Sequence, residues 1–345
     1  MSPLPIDETT LRPDIAVISM SSTVIDFESS RSLEEMIFDT TTAALDSVAL
    51  TAKDLEGIVV SGNDQLDGRV ISIMSAAGPA GGVGRDTTMI ASSADHALAF
   101  GYLRLRAGQG KNVLVVGWAK PSESVDPDRV ELMEAEPYLL RPIGMNNTIA
   151  AALQASTWLT PDNAPDASDK FVAWPLRRED LPARGDTVHA LVLAIDGEFP
   201  PGSELAWIVD AGWASASYEI GTRNLGDLSS LHAAGQQIFG RNPHAAPEHW
   251  DAVEIGGDSE YAVRAVQQSL PLKESVGVNM SGSLCERPTS PYVAGLSRMV
   301  AAIDAVRQSA PAADGVRLTA GIGFNGFAGQ GATVMVFSNS KGGTA

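Results

Sequence analysis

At 345 residues the chain is long enough to bury a sizeable core, as one large or two medium domains. Its 44% hydrophobic and 6% aromatic content suits a globular protein, and no run approaches the ~18–20 apolar residues of a membrane span. A net charge of −18 repels phosphate backbones and argues against nucleic acid as a partner.

The single cysteine, Cys285, excludes an internal disulfide and suits a reducing compartment. With five scattered histidines and no cysteine cluster, no metal site is expected. The opening "MSPLPIDETTLRPD" is acidic and polar and has no basic region or apolar core, so a signal peptide is not expected and a cytoplasmic location is.

In chain order, "DIAVISM" (14–20) predicts a strand, and "SLEEMIFDTTTAALDSVAL" (32–50) a helix opened by a Ser32/Glu35 capping box. A short capped turn leads into a β-branched strand at 58–61. There follow "RVISIMSAAG", a Gly/Pro-rich loop at 78–85, a helix over about 92–107 and a strand at 112–118. Such strict alternation predicts a parallel sheet with helices on its faces. Residues 119–185, rich in Pro, Asp and Glu, read as a loop-dominated insertion with one helix, "NNTIAAALQASTWL". A strand at 186–196 closes this part.

The same order then returns. "LAWIVDAGW", "WDAVEIGG" and "SVGVNMSG" read as strands that alternate with the helices "LSSLHAAGQQIFG", "SEYAVRAVQQSL" and 290–308. "VRLTAGIG" and "GATVMVFSN" read as the closing strands. The repetition suggests an internal duplication, 1–196 and 197–345, with the insertion (about 119–185) in the first half. Helix 92–107 aligns Ala94, Leu98, Gly101 and Leu105, and helix 290–308 aligns Tyr292, Leu296, Met299, Ile303 and Val306. These stripes predict a pseudo-twofold pair of central helices, brought close by Ala97, Gly101, Ala294 and Gly295.

Taken together, "TTMIASSADHALAF" before "KNVLVVGW", the turn "VNMSGS", and "NGFAGQGATVMVF" resemble the thiolase superfamily, and the lipid-transfer or sterol-carrier branch in particular. The resemblance spans most of the chain. It implies an α/β thiolase fold, two similar βαβαβαββ halves in a five-layered αβαβα arrangement, usually dimeric. It also implies a CoA-thioester site between the central helices, where active members use a nucleophilic cysteine, a second cysteine or a histidine, and an oxyanion hole. No cofactor is implied beyond a CoA thioester as substrate or ligand.

Carried over residue by residue, the nucleophile position falls on Ala91, the oxyanion-hole position on Gly256, the histidine of the Gly-His-Pro motif on Thr289 and a C-terminal cysteine position on Asn325. The resemblance places Ser281, Gly282, Asn325, Gly329 and Gly331 as ligand-binding residues. The remaining catalytic candidates are Ser92, His96, Cys285 and Tyr292, with Asp258 and Glu260 as proton carriers. Ser92 and Ser93 also suit a helix cap, and Cys285 a small buried hydrophobe. His189 reads as a core histidine, and His232, His244 and His249 as surface residues. Arg177 and Arg178 are either a basic spot for CoA phosphates or a solvated pair.

Two readings result. One is a catalytically degenerate thiolase-like protein related to acyl-CoA acyltransferases of lipid metabolism. It would bind an acyl-CoA, or act as a homodimer or a heteromer with an active thiolase or a small zinc-ribbon/OB-fold acyl-CoA-binding protein. The other is an active acyltransferase or carbon–carbon lyase with a non-standard residue set.

Overall fold

The Ser32/Glu35 capping box forms as predicted: the Glu35 N–H donates to Ser32 Oγ (3.2 Å) and the Ser32 N–H to Glu35 Oε2 (2.8 Å). It opens a helix that lies early in a computed structural model describing residues 13–26, 30–64, 71–162, 164–166, 169–309 and 317–343. Most of the polar N-terminal stretch and the first two residues of "RVISIMSAAG" lie outside these. The first half runs β1 (Ile15–Asp26), α1 (Leu33–Asp46), β2 (Ile58–Ser61), α2 (Ser72–Ala76), β3 (Thr87–Met89), α3 (Ala94–Arg106) and β4 (Asn112–Ala119). The insertion follows with α4 (Pro127–Glu131) and α5 (Asn147–Ser156), one helix more than expected, before β5 (Gly185–Ile195). The second half runs β6 (Ala206–Ser215), α6 (Ser229–Phe239), β7 (Ala252–Ile255), α7 (Glu260–Ser269), β8 (Gly277–Val278), α8 (Pro291–Ser309), β9 (Leu318–Asn325) and β10 (Gly331–Ser338).

The strands form one array in the order β3-β2-β4-β5-β1-β6-β10-β9-β7-β8. Outward from the β1–β6 junction each half presents the same sequence of strands: first, last, penultimate, second, third. The junction itself spans only Ile15–Val17 against Ala206–Ile208. The sheet is mixed, which corrects the parallel expectation. β2 pairs in parallel with β3 and β4, and β7 with β8 and β9, but β5 and β10 run antiparallel to both neighbours. Helix–strand alternation holds only as far as β4 and β9. β10 returns directly from β9, and a direct return is antiparallel, whereas β5 returns antiparallel through the insertion.

Period-two burial then produces five layers. On β1, Ile15 and Val17 join the central core with α3 and α8, whereas Ala16 and Ile18 face the layer of α1. Strand β5 divides likewise, Leu191 and Leu193 inward and Ala190, Val192 and Ala194 outward. A third cluster packs β7, β9 and β10 on α6 and α7. Strands apolar on both faces are what a sheet covered on both sides requires. The predicted stripes lie in the central layer: Ala94, Leu98, Gly101 and Leu105 on α3, and Leu296, Met299, Ile303 and Val306 on α8, are all buried. Tyr292 is half-buried against the same cluster. No helix among the described residues is long and apolar enough to cross a membrane.

The two ends of the insertion are tied by a buried ion pair. Lys120 Nζ donates to Asp186 Oδ2 (2.8 Å), and the Ser122 N–H and hydroxyl donate to the same carboxylate. The insertion then lies on the second half, where α5 sends the Gln154 amide to the carbonyls of Leu225 and Ala328. Removing Asp186 takes from the buried Lys120 a carboxylate at 2.8 Å and leaves Glu123 at 4.0 Å. Asp186→Ala is therefore expected to cost about 3–5 kcal/mol in denaturant melts, and Lys120→Met in the same chain to recover much of it.

Candidate active site at the start of the central helix

The corner before α3 is built from short-range contacts. β3 ends at Met89, and Ser93 takes the extended N-cap conformation (φ −65°, ψ 153°). At the end of β2, the Ser61 hydroxyl donates to the Ser92 carbonyl (2.8 Å) and fixes the corner against the sheet. Ala91 is exposed, and Ser92 and His96 are half-buried. His96 is four residues beyond Ser92, so one helical turn brings its Nδ1 to 3.3 Å from Ser92 Oγ. Its ring lies against Trp213 of β6, with centroids 5.0 Å apart. Burial lowers the imidazole pKa from its ordinary value and so favours the neutral ring.

The second half supplies the third group. Asn325, the last residue of β9, donates its amide to Ser92 Oγ (3.0 Å) and more weakly to Ser93 Oγ (3.4 Å). A side chain at Gly331 would overlap the Asn325 amide, so the glycine there leaves the room that this amide occupies. The turn between them is pinned through its carbonyls: Arg223 donates to Phe327 and Ala328, Gln154 to Ala328, and Ser230 to Gly329 (2.7 Å). Gly329 also borders a narrow cavity shared with Asp258, Phe324 and Gln154.

One buried and two half-buried carboxyl groups lie around this region. Asp95 is completely buried, and neither of its oxygens has a hydrogen-bond partner among the described residues. The Ser93 and Thr333 hydroxyls lie alongside without closing a bond. A Cβ at Gly295 of α8 or at Gly323 of β9 would strike this carboxyl, so the helices meet through glycine. Burial pushes the Asp95 pKa up to about 6. Burial likewise raises Asp258 to about 7, helped by the nearby Glu131, and Glu134 of the insertion to about 7.

The other predicted residues gather elsewhere. A cleft of about 510 Å³ lies between α8, the 280–289 loop and strands β1 and β5, with Ser22, His189, Glu254, Ser281, Thr289 and Arg298 on its walls. Ser281 gives its N–H (2.9 Å) and hydroxyl (2.7 Å) to the buried Glu254. Arg298 joins Glu254 (3.1 Å) to the carbonyls of Gly282 (2.7 Å) and Ser283 (2.9 Å). Ser281 and Gly282 thus sit in a clamp that holds the loop on α8.

Cys285, in the same loop, is half-buried; burial first and Glu260 next push its pKa up to about 11, so the thiol stays protonated. Glu260 itself accepts from the Leu284 N–H (2.8 Å). Thr289 is held through its backbone to Ala183 and Gly185. At Gly256 a Cβ would lie 3.1 Å from the Gly295 backbone.

His189 bridges the hydroxyls of Ser22 (2.7 Å) and Ser297 (2.8 Å), as a core histidine should, and burial lowers its pKa to about 4. His232, His244 and His249 are exposed. Arg177 is bonded to Asp169. No cluster of three or more metal-ligating side chains occurs among the described residues.

Two sheets around a shared pair of central helices, with a half-exposed polar corner at the start of one, define a duplicated five-layer α/β protein. Among solved structures, the chain is similar to human mitochondrial 3-ketoacyl-CoA thiolase, with a TM-score of 0.72 at 13% identity over 96% of this chain and 100% of that one. The same enzyme solved in complex with CoA gives a TM-score of 0.72 at 14% identity over 96% and 99%. The protein therefore has a thiolase fold. No family model and no curated protein matches the sequence.

The Asp95 carboxyl provides a test of this core. Its folded pKa lies above the unfolded value, so its contribution to stability is full below pH ~4 and falls as pH rises to about 6. The total is roughly 3 kcal/mol. In denaturation midpoints measured against pH, Asp95→Asn is expected to remove this decline and to leave the variant relatively more stable at pH 8.

Proposed function

We propose that the protein receives an acyl thioester at the corner before α3 and that cysteine-dependent condensation and thiolysis have been lost there. The observation that carries this reading is the corner itself: the chain has a thiolase fold, and Ala91, to which the resemblance assigns the nucleophile position, is exposed. The only cysteine of the chain lies in another loop with a protonated thiol. A solved neighbour of the same fold holds CoA, which supports a CoA thioester as the ligand class. The exposure of Ala91 also leaves this face open to a second subunit, either another copy or an active thiolase, in line with acyl-CoA or partner binding as the role.

Calorimetric titration with acetyl-CoA and longer acyl-CoAs should show saturable binding that Ala91→Trp abolishes, with no thiolysis of acetoacetyl-CoA by free CoA. Absence of acyl-CoA binding, or thiolysis by the native chain, would overturn the reading. A second reading, an active enzyme with a different residue set, is favoured by one specific observation, the meeting of Ser92, His96 and Asn325.

A further inference from the structure

We infer that Ser92 is a nucleophile activated by His96 and Asn325, and that the corner carries out serine-based acyl transfer on thioesters or esters, with water as the terminal acceptor. The inference rests on the reading of the corner as an acyl site, and it adds a reaction to what that reading treats as binding.

The geometry separates Ser92 from its neighbours. Ser93 is buried, whereas Ser92 is half-exposed beside the exposed Ala91. A base stands 3.3 Å from that oxygen, a length common in unliganded active sites that shorten on binding substrate. A donor lies 3.0 Å away on the opposite half of the molecule. A serine hydroxyl is a weak nucleophile unless a base takes its proton, and the Asn325 amide fixes the orientation of Oγ toward that base. The backbone is fixed as well: Ser61 holds the Ser92 carbonyl, and Gly331 leaves room for the Asn325 amide.

The protonation state is suitable. Burial is the sole cause of the lowered His96 pKa. The groups against the ring are Ser92 and the indole of Trp213, and Asp95 on the same helix meets Gly295 and Gly323 instead. The imidazole is thus neutral at neutral pH, with Nδ1 free to accept when the proton is on Nε2.

The step balances as follows. Ser92 Oγ attacks the acyl carbonyl while its proton passes to His96 Nδ1. The carbon–sulfur bond of a thioester breaks, and the leaving thiolate takes the proton from His96 to depart as a thiol. A water then attacks the serine ester and gives a proton to His96. The carbon–Oγ bond breaks, Oγ recovers the proton, and a carboxylic acid leaves. No oxidant, metal or further co-reactant is required.

A contact that only caps the helix would show the same Ser92–His96 distance, so the test must read reactivity. The full chain is treated with a fluorophosphonate, which needs no CoA recognition, and the adduct is mapped by peptide mass spectrometry. Expected is one adduct per chain, on Ser92, absent in Ser92→Ala. The labelling rate should fall on the order of 100-fold in His96→Gln and about 10-fold in Asn325→Ala. The native rate should rise with pH to a plateau through a midpoint below the ordinary histidine value of about 6.5, a limb that His96→Gln removes.

No adduct, an adduct on another residue, or equal rates in the native chain and His96→Gln would overturn the inference. The two proposals fail separately. Acyl-CoA binding without labelling leaves a binding protein, whereas Ser92 labelling without acyl-CoA binding leaves a serine acyl-transfer site for other esters.

Discussion

The contact at which the Asp95 side chain of α3 meets Gly295 of α8 and Gly323 of β9 is the constraint from which the rest of the molecule can be understood. A five-layer fold has one central layer, and both sheets must reach it. The separation of α3 and α8 sets how far β4 and β9 stand from each other, and so where the last residue of β9 meets the first turn of α3. Asn325 reaches Ser92 because glycine lets those elements come together. An unpaired carboxyl at this point is costly, since burial without a hydrogen bond is unfavourable even for the neutral acid. It is borne within a large apolar cluster, one residue before the histidine of the candidate site. Departures from local optimality tend to collect at such positions.

The duplication is symmetrical in topology and asymmetrical in chemistry. α3 opens from an exposed corner of small residues, with a histidine on its first turn and an amide donor from the other half. The start of α8 is instead tied down. Thr289 is hydrogen-bonded to the end of the insertion through its backbone, and Glu254 and Arg298 hold the preceding loop by its carbonyls and N–H groups. The corner at the start of α3 is open, whereas the start of α8 is clamped. The insertion belongs to the clamped part. Its ends are joined by Lys120 and Asp186, and its helix α5 braces the turn beside Asn325 through Gln154.

Local features were legible in the sequence where the determinant is local. The capping box, the strand at 58–61 and the two apolar stripes each depend on residues a few positions apart, and each is found where periodicity and cap chemistry put it. The sheet direction was misread because alternation of helices and strands fails only at the last strand of each half, where an insertion or a tight turn replaces the crossover. The Ser92–His96 contact has i,i+4 spacing, but Ser92 precedes the Ser93 cap, so helical periodicity alone does not place it. Asp95 could have been recognised from Ala99 and Tyr102, which share its helical face and are buried. The Asn325 contact could not be read without the fold, because it joins residues 233 positions apart.

If the corner acts as proposed, an oxygen nucleophile there needs support that a sulfur one would not. A cysteine ionises near pH 8.5 in isolation and lower beside a helix N-terminus, so it can be reactive with little support at an exposed helix start. A hydroxyl is far less acidic and needs a base in contact and a donor on its oxygen. Residue 91 has neither role filled in this structure's hydrogen bonds, whereas residue 92 lies one turn from His96 and within reach of Asn325. Residue 91 lies exposed at the rim, whereas residue 92 lies where the two halves of the fold converge. An oxygen nucleophile needs that convergence more than a sulfur one does.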